Sequence, residues 1–176
     1  MTSTSIEQKL SELRQQFDQS FARAAGVEGP PQSDFLAVRV GGDPYAIRLS
    51  EVQSLHAERK LVRVPSLLPE LLGLCGFRSV LTPVYDLAQL LGYPASKNAR
   101  WLLLAQHASP IAFAFADFDA HLRVASERVS APEANGTAAI AGAVRNGENT
   151  LTLLHLPSVV EAIAHRIKAF GPSQER

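Results

Sequence analysis

Cysteine is almost missing from this 176-residue chain: Cys75 stands alone, so no disulfide can form within it and a reducing compartment fits best. Neither sign of charge is in excess. Lys plus Arg and Asp plus Glu both number 17, the formal charge is zero and the pI lies near 7.0. Phosphate binding needs a basic excess on some face, so nucleic acid is not the expected partner, and nothing draws the chain to an anionic membrane surface. No run approaches the ~20 apolar residues that span a bilayer. Met1 to Ser5 lack the basic cluster and following apolar run of a signal peptide. These absences lead us to expect a soluble cytoplasmic protein.

Recognisable catalytic chemistry is also scarce. Neither a phosphate-cradling glycine loop nor a G-x-S-x-G elbow occurs, and H-E-x-x-H is missing too. The histidines (His56, His107, His121, His155 and His165) are scattered, with no pair at metal-ligand spacing. Cys75 lies in the apolar run Leu74-Cys75-Gly76-Phe77, the setting of an inert thiol and not of a nucleophile. Asp117 and Asp119 alternate and share one side of a β segment, but two carboxylates alone read as a solvated turn. No catalytic residue, metal or cofactor is expected.

What the chain does have is enough apolar residue, 46%, to bury a core. At this length about 70% of the unfolded surface should be covered on folding. Ile6, Leu10, Leu13, Phe17 and Phe21 form one helical stripe behind a capping box at Thr4 to Glu7, and Gly29-Pro30-Pro31 makes a linker. The stripe either packs on the body of the protein or serves partners and self-association. From Asp34 the period becomes that of strands. Extended segments are predicted at residues 35–40, 45–49, 52–56, 61–64, 74–78 and 80–85, and then at 101–105, 111–116, 120–124, 139–144 and 150–154. A short helix or turn is expected at 65–72, a short helix at 87–91, and a last helix from Pro157 with Val160, Ile163, Ile167 and Phe170 on one face. Two sets of about five short strands, with a boundary near 90–100, predict small barrels and not an open parallel sheet. Residues 1–33 form a helix plus linker, 34–170 the body and 171–176 a tail.

One segment, Gly73 to Leu87, places a lone Arg78 among glycines and apolar residues, like a hairpin with Arg78-Ser79 at its tip and Pro83 at an edge. It resembles the signature G-V-x-N-L-R-G-x-x-x-P-V-x-D-L of the CheW family, the coupling proteins of bacterial chemosensory arrays. Gly73, Arg78, Pro83, Val84, Asp86 and Leu87 match in register. Outside it, Phe35 to Leu49 resembles F-x-L-G-G-x-x-Y-A-I-x-L, Val52 opens a V-x-E-I, and Leu61 to Pro65 is similar to I-T-x-L-P. Ala116-Asp117, Gly142-Ala143 and Thr152 to Leu156 resemble later family segments.

The resemblance implies a mainly β fold of two packed five-stranded SH3-like barrels; the N-terminal and C-terminal helices are read from the residues, and the first of them is a difference from a minimal coupling protein. The resemblance also implies a non-catalytic scaffold that couples chemoreceptor cytoplasmic tips to the regulatory domain of a CheA-type histidine kinase, in the cytoplasm at membrane receptor arrays. The receptor contact would lie at the groove between the barrels. Expected partner-binding residues are Gly76, Phe77, Arg78, Ser79 and Val80, with Val52, Ser54 and Leu55. The family Asn is Gly76 here, the Gly after the Arg is Ser79, the Glu of V-x-E-I is Ser54 and the Asp of L-L-D-L is His155. These departures imply a divergent member, in an accessory pathway such as twitching or gliding. The alternatives are a single-partner competitor or insulator and, more remotely, a small-molecule sensor or thiol enzyme using Cys75.

Overall fold

The computed structural model describes residues 30–132 and 137–170. The stripe Ile6 to Phe21 lies outside them. Eleven strands form among the described residues: β1 Gln32–Val40, β2 Asp43–Arg48, β3 Val52–Ala57, β4 Leu71–Phe77, β5 Val80–Asp86, β6 Trp101–Ala105, β7 Ala112–Phe115, β8 Asp117–Ala125, β9 Val129–Ser130, β10 Ile140–Asn146 and β11 Asn149–Leu154. A one-turn helix, Leu87–Leu90, follows β5, and the helix Leu156–Phe170 follows β11. The strands make a six-stranded sheet in the order β8-β1-β2-β11-β10-β9 and a five-stranded one in the order β3-β6-β7-β5-β4.

The apolar runs explain this arrangement. Successive side chains of a strand point to opposite faces, so a strand apolar throughout must be covered on both. In β1, Phe35 and Ala37 enter a small core on one side of the six-stranded sheet, while Leu36, Val38 and Val40 enter a larger one on the other side. In the five-stranded sheet Leu102, Leu104, Ala112 and Ala114 line a small inner core, and Leu103, Phe113 and Phe115 join the larger one. In β7, therefore, alanines fill the confined inner side and the Phe113 and Phe115 rings occupy the larger core. Val159, Val160 and Ile163 of the last helix complete this central core. Farther along that helix Ile167 is exposed, so the predicted stripe is buried only in its first turns. The side chain of Phe170 lies outside the described residues.

The sheets do not divide the chain near residues 90–100. β2 pairs in parallel with β11 (Tyr45↔Thr152 to Ile47↔Leu154), and β5 pairs in parallel with β7 (Val84↔Ala112 to Asp86↔Ala114). Each sheet thus takes hairpins from both sides of the expected boundary. The two exchanged hairpins also repeat one pattern. Gly73 to Leu87 and Gly142 to Leu156 are equal in length. Both begin at a register shift. Gly73 (φ +146°) and Gly142 (φ +133°) leave no room for a Cβ: one built there would sit 2.4 Å from the Val62 carbonyl oxygen or 1.9 Å from that of Ser130. Near the other end Asp86 N–H donates to Glu70 O and His155 N–H to Ala139 O, both at 2.8 Å.

Three further expectations are corrected. Residues 61–64 contribute a single bridge, Val62↔Leu74, and no strand. Of the helix or turn expected at 65–72, residues 69–70 form a turn and β4 already begins at Leu71; prolines 65 and 69 disfavour the helix. Pro83 lies on an interior strand, just before the parallel pairing of β5 with β7 begins at Val84, where no N–H is called for.

Two substitutions test this account. Phe113→Ala should lower the unfolding free energy by about 3–5 kcal/mol, read from urea denaturation, because Phe113 is fully buried in the shared core. Gly142→Ala should cost more than Gly147→Ala in the same measurement, since a Cβ at Gly147 meets nothing within 4 Å.

Candidate functional site

The segment Gly73 to Leu87 separates into structural and exposed residues. Asp86 is fully buried. Its carboxylate accepts hydrogen bonds from Ala88 N–H (3.0 Å), Ser96 N–H (2.7 Å) and Ser96 Oγ (2.7 Å), so it caps the one-turn helix and pins the following loop. Gly73 and Asp86 therefore serve the framework. Cys75 is buried in the inner core of the five-stranded sheet, out of reach of a substrate.

The tip of the β4–β5 hairpin is different. Phe77 pairs with Val80, leaving the two-residue loop Arg78-Ser79, and both loop residues have positive φ (46° and 68°). A tight hairpin with this twist needs such angles at both positions. Neither residue is glycine, so the backbone is held at a cost of about 1–3 kcal/mol per residue that the surrounding sheet must meet. Arg78 is exposed, and among the described residues it has no carboxylate partner.

Beside this tip lies a cavity of about 350 Å³ bounded by Ser54 and His56 of β3, Arg59 just beyond it, Phe77, Arg78, Val80 and Thr82 of the hairpin, and His107 of the β6–β7 loop. All of these belong to the five-stranded sheet and its loops, so the concavity around Arg78 lies at the end of one sheet and not between the two. Phe77 is the buried floor. The His56 ring sits over it, with centroids 4.9 Å apart, and the Arg59 guanidinium carbon lies 5.9 Å from the centroid of the same ring, a cation–π distance.

His56 is held between two groups. Ser54 Oγ lies 2.9 Å from Nε2, and Arg59 Nη2 lies 3.4 Å from Nδ1. A guanidinium can only donate, so Nδ1 accepts and the proton resides on Nε2, facing Ser54. Desolvation, followed by the charges of Arg59 and Arg78, lowers the His56 pKa below its ordinary 6.5. The neutral imidazole is thus the resting form.

Of the expected partner-binding residues, the structure brings Ser54, Phe77, Arg78 and Val80 to this cavity, while Gly76 and Ser79 are exposed on the same hairpin. Val52 and Leu55 are placed otherwise: both are partly buried against the central core, because the alternation of β3 turns Leu55 away from Ser54 and His56. Sequence reasoning missed His56, Arg59 and His107. His56 and Arg59 are near neighbours in sequence, but the sheet order β3-β6-β7-β5-β4 is what brings them to the hairpin tip and to His107.

The other reactive side chains lie elsewhere. Asp117 and Asp119 are on the exposed side of β8, where Arg100 and Arg39 approach them at 3.9 and 3.1 Å. They form a charged strand face and not a turn. Asp34 accepts from Arg123 (3.0 Å) and contacts His121 (3.1 Å). His155 is bonded to Ser158, at 2.7 Å.

Known proteins share this architecture. The model of the CheW-like domain family matches residues 34–164. The chemotaxis protein CheW of Bacillus subtilis (strain 168) aligns at 37% identity over 59 residues, which is 34% of this chain and 38% of that relative. The alignment therefore spans well under half the length of the relative. The scaffolding protein TtCheW from Thermoanaerobacter tengcongensis superposes with a TM-score of 0.65 at 11% identity, over 72% of this chain and 90% of that one.

The lowered pKa of His56 has a measurable sign. On acidification the unfolded chain takes up the proton first, at its ordinary value near 6.5. The contribution of His56 to stability is therefore complete above that value. It declines as pH falls through it and levels off once the folded imidazole protonates. In His56→Gln the dependence of stability on pH below 6.5 should be shallower, and the NMR titration midpoint of His56 in the parent chain should lie below 6.5.

Proposed function

We propose, because the chain belongs to the CheW-like domain family, that it is an adaptor joining chemoreceptor cytoplasmic tips to the regulatory domain of a CheA-type histidine kinase. In this reading it works by binding alone, in the cytoplasm beside membrane-borne receptors. The observation that carries the reading is the hairpin tip: an exposed arginine, free of any carboxylate among the described residues, fixed by a strained turn over a buried aromatic floor. The turn fixes the backbone of Arg78, so the tip loses little main-chain freedom on binding, which suits an interface anchor. Ser54, Gly76, Ser79 and His155 set the chain apart from the resemblance that introduced it, and they support an accessory pathway over the central chemotaxis system. Docking of Ile6 to Phe21, in cis or onto a second copy, is a further part of the proposal.

The same departures favour one other reading, a competitor that binds the receptor or the kinase but not both, and so insulates pathways from each other. Calorimetry with the native receptor tip and kinase regulatory domain separates the two. A ternary complex supports the adaptor, a single binary complex supports the insulator, and binding to neither rejects both.

Arg78→Ala should weaken receptor-tip binding by about 1–3 kcal/mol, with the thermal midpoint of unfolding nearly unchanged. Equal affinity would remove the tip from the interface.

A further inference from the structure

The cavity beside the hairpin tip has an unusual charge balance. Arg59, Arg78, His56 and His107 line it together with the hydroxyls of Ser54 and Thr82, and no Asp or Glu does. The chain as a whole is neutral. Elsewhere four arginines are paired with carboxylates: Arg39 with Asp119, Arg100 with Asp117, Arg123 with Asp34 and Arg166 with Glu70. Here Arg59 touches only a neutral imidazole and an aromatic ring, and Arg78 touches no carboxylate among the described residues. Two like charges kept beside each other on a partly desolvated floor repel, and a single anion between them would remove that repulsion.

The surroundings indicate what carries the anion. Val80 and Leu81, next to the cavity on β5, are 49% and 64% exposed. A small free anion would leave them in water, whereas a protein surface would cover them.

We propose that this concavity is a socket for one carboxylate side chain, an Asp or Glu flanked by apolar residues on a partner protein. The socket rests on the reading that the tip faces a partner, and it adds the chemistry of the partner's inserted group. The guanidinium groups of Arg59 and Arg78 hold the two oxygens, while Ser54 or Thr82 donates a hydroxyl proton. The flanking apolar residues lie over Val80 and Leu81.

The test uses the full chain and follows the His56 ring by NMR. The probes are a leucine- and alanine-rich helical peptide with one central Glu, the same peptide with Gln, free succinate and inorganic phosphate. The Glu peptide should raise the His56 titration midpoint, since the bound anion offsets both arginines, and the Gln peptide should not. Ser54→Glu places a carboxylate inside the socket and should weaken the Glu peptide at least tenfold. Arg78→Gln should do the same without altering the packing of β3. No movement of His56, or equal movement with Glu and Gln, overturns the socket. An equal effect from succinate or phosphate overturns the side-chain assignment in favour of a small anion. A chain that passes these tests yet binds neither receptor tip nor kinase refutes the coupling role and leaves the socket standing. A chain that binds them unaffected by Ser54→Glu and Arg78→Gln does the reverse.

Discussion

Two short parallel seams, Tyr45–Ile47 against Thr152–Leu154 and Val84–Asp86 against Ala112–Ala114, hold the molecule in its topology. Tight turns can join antiparallel strands, but a parallel pair must come from segments far apart in sequence. Each seam therefore ties a hairpin from one part of the chain to a hairpin from another. Most of the seam residues are fully buried, and Ile47, Leu154, Tyr85 and Phe113 all enter the core between the sheets. Loosening either seam would open that core. The β4–β5 hairpin is rigid enough to hold Arg78 and Ser79 at positive φ because its second strand is clamped on both sides, by β4 and by β7.

Polar groups within this framework are few and are placed at corners. Buried Asp86 holds the one-turn helix and Ser96. Glu70, also buried, receives Arg166 from the last helix. Glu51 accepts from Leu156 N–H at 2.8 Å and so caps that helix from the β2–β3 corner, although burial raises its pKa above the ordinary value. Each of these carboxylates satisfies a neighbouring donor inside the protein. The cavity at the hairpin tip gathers two arginines and two histidines and has no such acid in its lining.

Much of this was legible in the residues. The extended segments expected at 35–40, 101–105 and 111–116 all carry strands, and the Arg78-Ser79 tip fell where the hairpin pattern put it. The exchange of hairpins was not legible, because the periodicity of a strand says which faces are apolar and nothing about which distant strand lies alongside. For the same reason Val52 and Leu55 were grouped with Ser54 as expected partner-binding residues. They stand beside Ser54 in sequence, yet a bulge between Val52 and Ser54 and the alternation of β3 turn them inward. Arg59 and His107 leave no local trace at all: one lies just beyond β3, the other sits in the β6–β7 loop, and only the sheet order makes them neighbours.

The exchanged seams have a consequence for how the chain is made. During synthesis the β1–β2 hairpin emerges early, but the strand that covers the far side of β2 is β11, the last in the sequence. The apolar edge of β2 must therefore wait, exposed, until nearly all of the domain has left the ribosome. Pairings between such distant segments make folding slow and leave early intermediates open to aggregation. A nascent chain of this design keeps that edge unpaired until its final hairpin arrives.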